Sequence, residues 1–83
     1  MAALKTKGQK HAIAGALALA QKVGRFPASK LWLDHDVEAD VLYISLKRPQ
    51  KATQTMEVNE DGILLHYRGQ ELVGITVLDV SQR

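Results

Sequence analysis

From Asp34 the chain reads Asp-His-Asp-Val-Glu-Ala-Asp and then runs without a break into Val-Leu-Tyr-Ile-Ser-Leu, ending at Leu46. No other stretch constrains the fold as strongly. The first half is too polar and too charged to continue a strand, and its acids are well placed to accept backbone N–H bonds in a turn. The second half is β-branched and aromatic, and it alternates: Val41, Tyr43 and Ser45 on one face, Leu42, Ile44 and Leu46 on the other. A strand entered through so sharp a turn needs a partner just before it. Lys30 to His35 supplies one, with Leu31, Leu33 and His35 pointing one way and Trp32 and Asp34 the other.

Three more strands follow. Residues 47–52, with Pro49, form a loop that ends pairing. Thr53 to Val58 is polar enough for an edge. Asn59-Glu-Asp-Gly62 is a hairpin turn, because Asp-Gly readily adopts positive φ. Ile63 to Tyr67 and Glu71 to Leu78 are the fourth and fifth strands, joined by Arg68-Gly69-Gln70. Gly74 interrupts the fifth strand and weakens it unless something approaches closely there or the strand bends. Both of these last strands carry apolar residues on both faces: Ile63 and Leu65 against Leu64, and Val73, Ile75 and Val77 against Leu72 and Leu78. A sheet covered by one helix has one wet face, so the second face calls for two chains packed sheet to sheet. The expectation is a homo-oligomer, a dimer in the first instance.

The first thirty residues differ in kind. Lys5, Lys7 and Lys10 precede an Ala-rich apolar run, Ala12 to Ala20, which is also the outline of a secretory signal peptide. A helix accounts for more of the pattern. At 100° per residue Ala12, Ile13, Ala16, Leu17, Leu19, Ala20 and Val23 share one side, and Lys7, Lys10, His11, Ala14, Ala18, Gln21 and Lys22 share the other. Thr6 with Gln9 fits a capping box, Gly24 fits a C′ residue, and Pro27 bars continuation. Pro27 also pushes Phe26 toward an extended conformation, from which the single phenylalanine anchors the turn under the helix. Residues 1–29 are thus the helix and linker and 30–83 the β-meander, within one compact domain. The fold class is α+β: an N-terminal amphipathic helix packed on a roughly five-strand antiparallel meander sheet.

Bulk properties set further bounds. Eighty-three residues hold one domain with a small core, for which oligomerisation is a common aid. Without cysteine there is no disulfide, thiolate zinc site or thiol nucleophile. No apolar run approaches the roughly 20 residues that span a bilayer. The net charge of +2 divides into about +6 over residues 1–30, which contain no acid, and about −4 over the remainder. A basic arm beside an acidic body fits contact with nucleic acid. It also neutralises its own domain or a partner subunit, and that reading is preferred because no aromatic residue or arginine cluster accompanies the lysines.

Candidate sites were weighed residue by residue. Asp34, Asp36, Glu38 and Asp40 alternate as calcium ligands do, but an EF-hand loop starting at Asp34 needs Gly at position 39 and Glu at position 45, where the chain has Ala39 and Ser45. Turn capping is the better reading. His35, His66 and Asp79 have the residue types of a two-His, one-carboxylate metal set, with nothing in the spacing to demand one. Ser81, His66 and Asp79 have the types of a hydrolytic triad, but Ser81 lies in a terminal tail and no Gly-x-Ser-x-Gly elbow is present. Asp40 and Tyr43 are read as structural. No catalytic, cofactor or metal site is assigned.

Three segments in order, Asp36-Val-Glu-Ala-Asp-Val-Leu-Tyr-Ile44, Asn59-Glu-Asp-Gly-Ile63 and Val73-Gly-Ile-Thr-Val-Leu-Asp-Val-Ser81, resemble the domain-of-unknown-function 2283 family, small YuzE-like bacterial proteins. The similarity covers about residues 30 to 83. The family typically has Tyr where this chain has His35, and often Glu where it has Thr76; both read as surface or interface positions. The resemblance implies a small cytoplasmic bacterial protein with a compact β-rich fold, and no activity. The functional expectation is a non-enzymatic binding or assembly module, dimeric, presenting a surface to a protein partner. The alternative is an antitoxin-like or regulatory module whose basic helix contacts a toxin or nucleic acid.

Overall fold

A computed structural model of the chain describes residues 7–58 and 61–83. Thr6 of the expected capping box and Asn59 and Glu60 of the expected hairpin lie outside the described residues. The elements are a helix α1 (Lys7–Lys22), then β1 (Trp32–Asp36), β2 (Val41–Ser45), β3 (Gln54–Glu57), β4 (Ile63–Arg68) and β5 (Glu71–Leu78). Short 3-10 turns follow α1 (Val23–Arg25) and β5 (Val80–Gln82). All five strands pair antiparallel in one sheet, so the α+β class holds.

Two features of that expectation are corrected. The first is the meander. The strand order is β1-β2-β5-β4-β3, so β2 pairs with β5 and β3 pairs only with β4 at the far edge. Burial accounts for the order. The central place goes to β5, the longest strand, whose Val73 is 0% exposed, while β3 is exposed at every position and suits the edge. Residues 46–53 then cross two strands, about 14 Å at the usual strand spacing, well within the reach of eight extended residues.

The second correction concerns the helix, which does not lie on this sheet. Every residue from Gly8 to Lys22 is exposed, Leu17 to 63%, and the helix has no extensive contact with any strand. Its end also differs from the expected glycine cap. The last turn tightens to 3-10 with Gly24 inside it, and Gly24 is not among the positive-φ residues. The tightening satisfies terminal carbonyls without a left-handed residue. Phe26 then turns extended at φ −81°, ψ 143°, as expected for a residue before proline, and donates its N–H to the Val23 carbonyl at 3.2 Å.

Register assigns the two faces. Leu33, Ile44, Ile75, Leu65 and Met56 are consecutive Cα partners from β1 to β3, one residue per strand. Partners opposite one another share a face, so this is an unbroken apolar row across the full width of the sheet. His35, Leu42, Val77 and Ile63 form the next row on that face. The opposite face carries Asp34, Tyr43, Thr76, Leu64 and Glu57 in one row and Trp32, Ser45, Gly74, His66 and Thr55 in another. The sheet is therefore one-sided. The expected second apolar face reduces to Val41, 8% exposed, with Leu64, Leu72 and Leu78 around a polar middle, and residues 46–53 supply Gln50 to cover part of it.

Candidate functional site

The polar face is organised by side-chain bonds that reach across strands. His66, on β4, is held between two threonines: Thr55 Oγ1 lies 2.9 Å from Nδ1 and Thr76 Oγ1 lies 2.7 Å from Nε2. A neutral imidazole donates from one nitrogen and accepts at the other, and a threonine hydroxyl serves either, so both ring nitrogens are satisfied. Beside it, Gln50 Nε2 donates to Ser45 Oγ at 2.8 Å. The same amide lies flat over Gly74, where a Cβ would come within 2.5 Å of the Gln50 Cδ. This is the close approach that a mid-strand glycine signals.

At one end of the sheet the acidic turn meets the C-terminal segment. Asp36 Oδ1 accepts the Ala39 N–H at 3.0 Å and closes the turn after β1. Asp40, in the left-handed region at φ 58°, accepts the Ser81 N–H on Oδ1 at 2.9 Å and the Ser81 hydroxyl on Oδ2 at 2.7 Å. Its own carbonyl accepts the Val80 N–H at 3.1 Å. Asp40 thus clamps the 3-10 turn that follows β5. At the same end Gly62 (φ 73°) lets Arg83 pass and donate to the Leu78 and Asp61 carbonyls.

These bonds decide the candidate sites. His35 and His66 lie on opposite faces, three strands apart in the order β1-β2-β5-β4, and among the described residues no three His, Cys, Asp or Glu side chains form a group able to hold a metal. Ser81 is bonded to Asp40, His66 to two threonines, and Asp79 sits in the left-handed region at the head of the last turn; the hydrolytic set does not assemble. Thr76, read as a surface or interface position, is 6% exposed within the chain itself, because β5 is central and His66 lies against its hydroxyl. His35 is exposed.

The apolar row is only partly covered inside the chain: Ile44 is buried, at 7% exposure, and the rest is not. Leu33 and Met56, at its two ends, are 47% and 48% exposed. Leu42, Ile63, Leu65, Ile75 and Val77 are half-buried, and no described helix or strand forms a second layer over them.

The segments that make the Asp40–Ser81 clamp and the Gly62 turn fall inside a family match. The sequence model described as "Protein of unknown function (DUF2283)" covers residues 32–81. The chain belongs to the DUF2283 family. The match takes in the whole sheet and ends at the clamped serine, and α1 lies outside it. No curated protein and no solved structure matches the chain. Two of the segments that carry the resemblance, Asp36 to Ile44 and Val73 to Ser81, thus hold the bonds that close the sheet end. Sequence reasoning placed Asp40 in its own turn and missed its partner 41 residues away. No helix among the described residues is long and apolar enough to cross a membrane.

Proposed function

We propose that this DUF2283 chain is a non-enzymatic assembly module that dimerises through its apolar sheet face and presents the polar face, with Trp32, Tyr43 and the Gln50 crossover, to a protein partner. The observation that carries the proposal is the row Leu33-Ile44-Ile75-Leu65-Met56, continuous across five strands and open at both ends. Contiguous apolar surface of this kind marks an interaction site. The non-enzymatic reading is supported by the use already made of the reactive side chains: His66 and Ser81 are both engaged in structural bonds. A bacterial, cytoplasmic setting is part of the same proposal, and it suits a chain without cysteine. Gel filtration with light scattering across a dilution series tests it. A mass of twice 9.2 kDa at micromolar concentration is expected, and a stable monomer there overturns it.

The exposed helix favours a second reading, in which its basic side contacts nucleic acid or a small toxin. Lys10, Lys22 and Arg25 lie in a segment without a single acid. Binding through phosphate contacts falls steeply with salt, so a gel shift seen at low salt and lost at high salt would support it, and no shift at low salt removes the nucleic-acid version.

A further inference from the structure

Two apolar surfaces stand open on this chain, and they match. One is the row across the sheet. The other is the side of α1 that carries Ile13, Leu17 and Leu19, with Val23 just beyond it in the 3-10 turn, every one of them an exposed large apolar residue. Sixteen helical residues are about 24 Å long, and five strands are about 19 Å wide, so one helix crosses the whole sheet. Within the chain the helix makes no extensive contact with any strand.

The surface area says how much remains to be covered. A compact monomer of 9.2 kDa exposes about 4,900 Å², and this chain exposes 6624 Å². The excess, about 1,700 Å², lies within the roughly 1,000–2,500 Å² that each protomer buries in an obligate homodimer. The radius of gyration agrees: 15.0 Å against about 12 Å for a compact chain of this length. The longest extent is 48 Å.

Charge points to the same occupant. The helix and its linker are cationic throughout, and residues 31–83 carry nine acids against five basic residues. A helix laid apolar side down across this sheet keeps its lysines at the solvent margin of a body of opposite net charge. The complementary body is that of a second copy.

We infer that the dimer is reciprocal: α1 of each protomer seats on the apolar sheet face of the other, so that the partner's helix, rather than the partner's sheet, covers the row from Leu33 to Met56. This rests on the dimer proposed above and specifies it. Exchange of one element between identical chains is a low-cost route to a closed two-fold assembly.

The absence of cysteine makes the test clean. Full-length Leu17→Cys protein is mixed with full-length Met56→Cys protein, allowed to exchange subunits, and treated with a mild oxidant. The expected product is a disulfide-linked mixed dimer that outnumbers Met56–Met56 position cross-links by about tenfold. Leu17→Asp, exposed on the helix and neutral to the sheet's own pairing, is expected to raise the dimer dissociation constant at least about tenfold while leaving the far-ultraviolet signature of the sheet unchanged. A dimer that tolerates Leu17→Asp and cross-links sheet to sheet overturns the exchange and keeps the dimer. A wild-type chain that stays monomeric overturns both.

Discussion

At the residue scale the family signature resolves into a clamp. Asp40 does two jobs: its backbone takes the left-handed turn that starts β2, and its carboxylate holds Ser81 by two bonds. Different substitutions separate the two. Asp40→Gly removes the carboxylate but adopts positive φ freely, and we expect a loss of about 1–2 kcal/mol for the missing bonds. Asp40→Ala adds the cost of a left-handed Cβ, about a further 1 kcal/mol. Urea midpoints of the two variants should fall in that order, and equal midpoints would mean that the backbone role is absent. The turn-capping role of these acids was legible from their type and from the missing Gly and Glu of a calcium loop. The identity of Asp40's partner was not, because nothing local in the sequence couples positions 40 and 81. Gly74 was legible as a point of close approach, but not Gln50 as what approaches it. The burial of Thr76 within its own chain was not legible, because a threonine in a strand looks the same whether it faces water or a histidine.

At the element scale, alternation located every strand to within two residues at either end, since a period of two is imposed by the pleat itself. Alternation carries no information about neighbours. The order β1-β2-β5-β4-β3 follows from which strand gains most by being central, and β5 wins with eight residues and three aligned β-branched side chains, Val73, Ile75 and Val77. Hydrogen exchange checks this directly. Amides of β2, β5 and β4, paired on both sides, should exchange slowest, and those of the edge strand β3 faster by at least about tenfold. Protection of β3 above that of β5 would restore a meander. The helix was legible as a helix from its period and from Pro27. Its packing was not, because an apolar stripe specifies that something covers it and is silent on whether that surface is in the same chain.

At the scale of the whole molecule, the apolar balance asked for cover on both faces of the sheet. Leu64, Leu72 and Leu78 suggested a sheet dry on both faces. The structure has one polar face, bound together by His66 and partly covered by Gln50, and one dry face with no second layer among the described elements. A small sheet in this condition is expected to gain much of its stability from a partner. The claim that a second copy covers the dry face is tested most directly at Leu33 and Met56, the exposed ends of the row. With methyl groups labelled, line broadening by a soluble paramagnetic probe reports how much water each one meets, and Val37, on the acidic turn and 76% exposed, serves as the internal reference. Leu33 and Met56 should be shielded well below Val37 in the full-length protein. If both broaden as half-exposed side chains of a lone chain do, the dry face is bare in solution and the account is wrong.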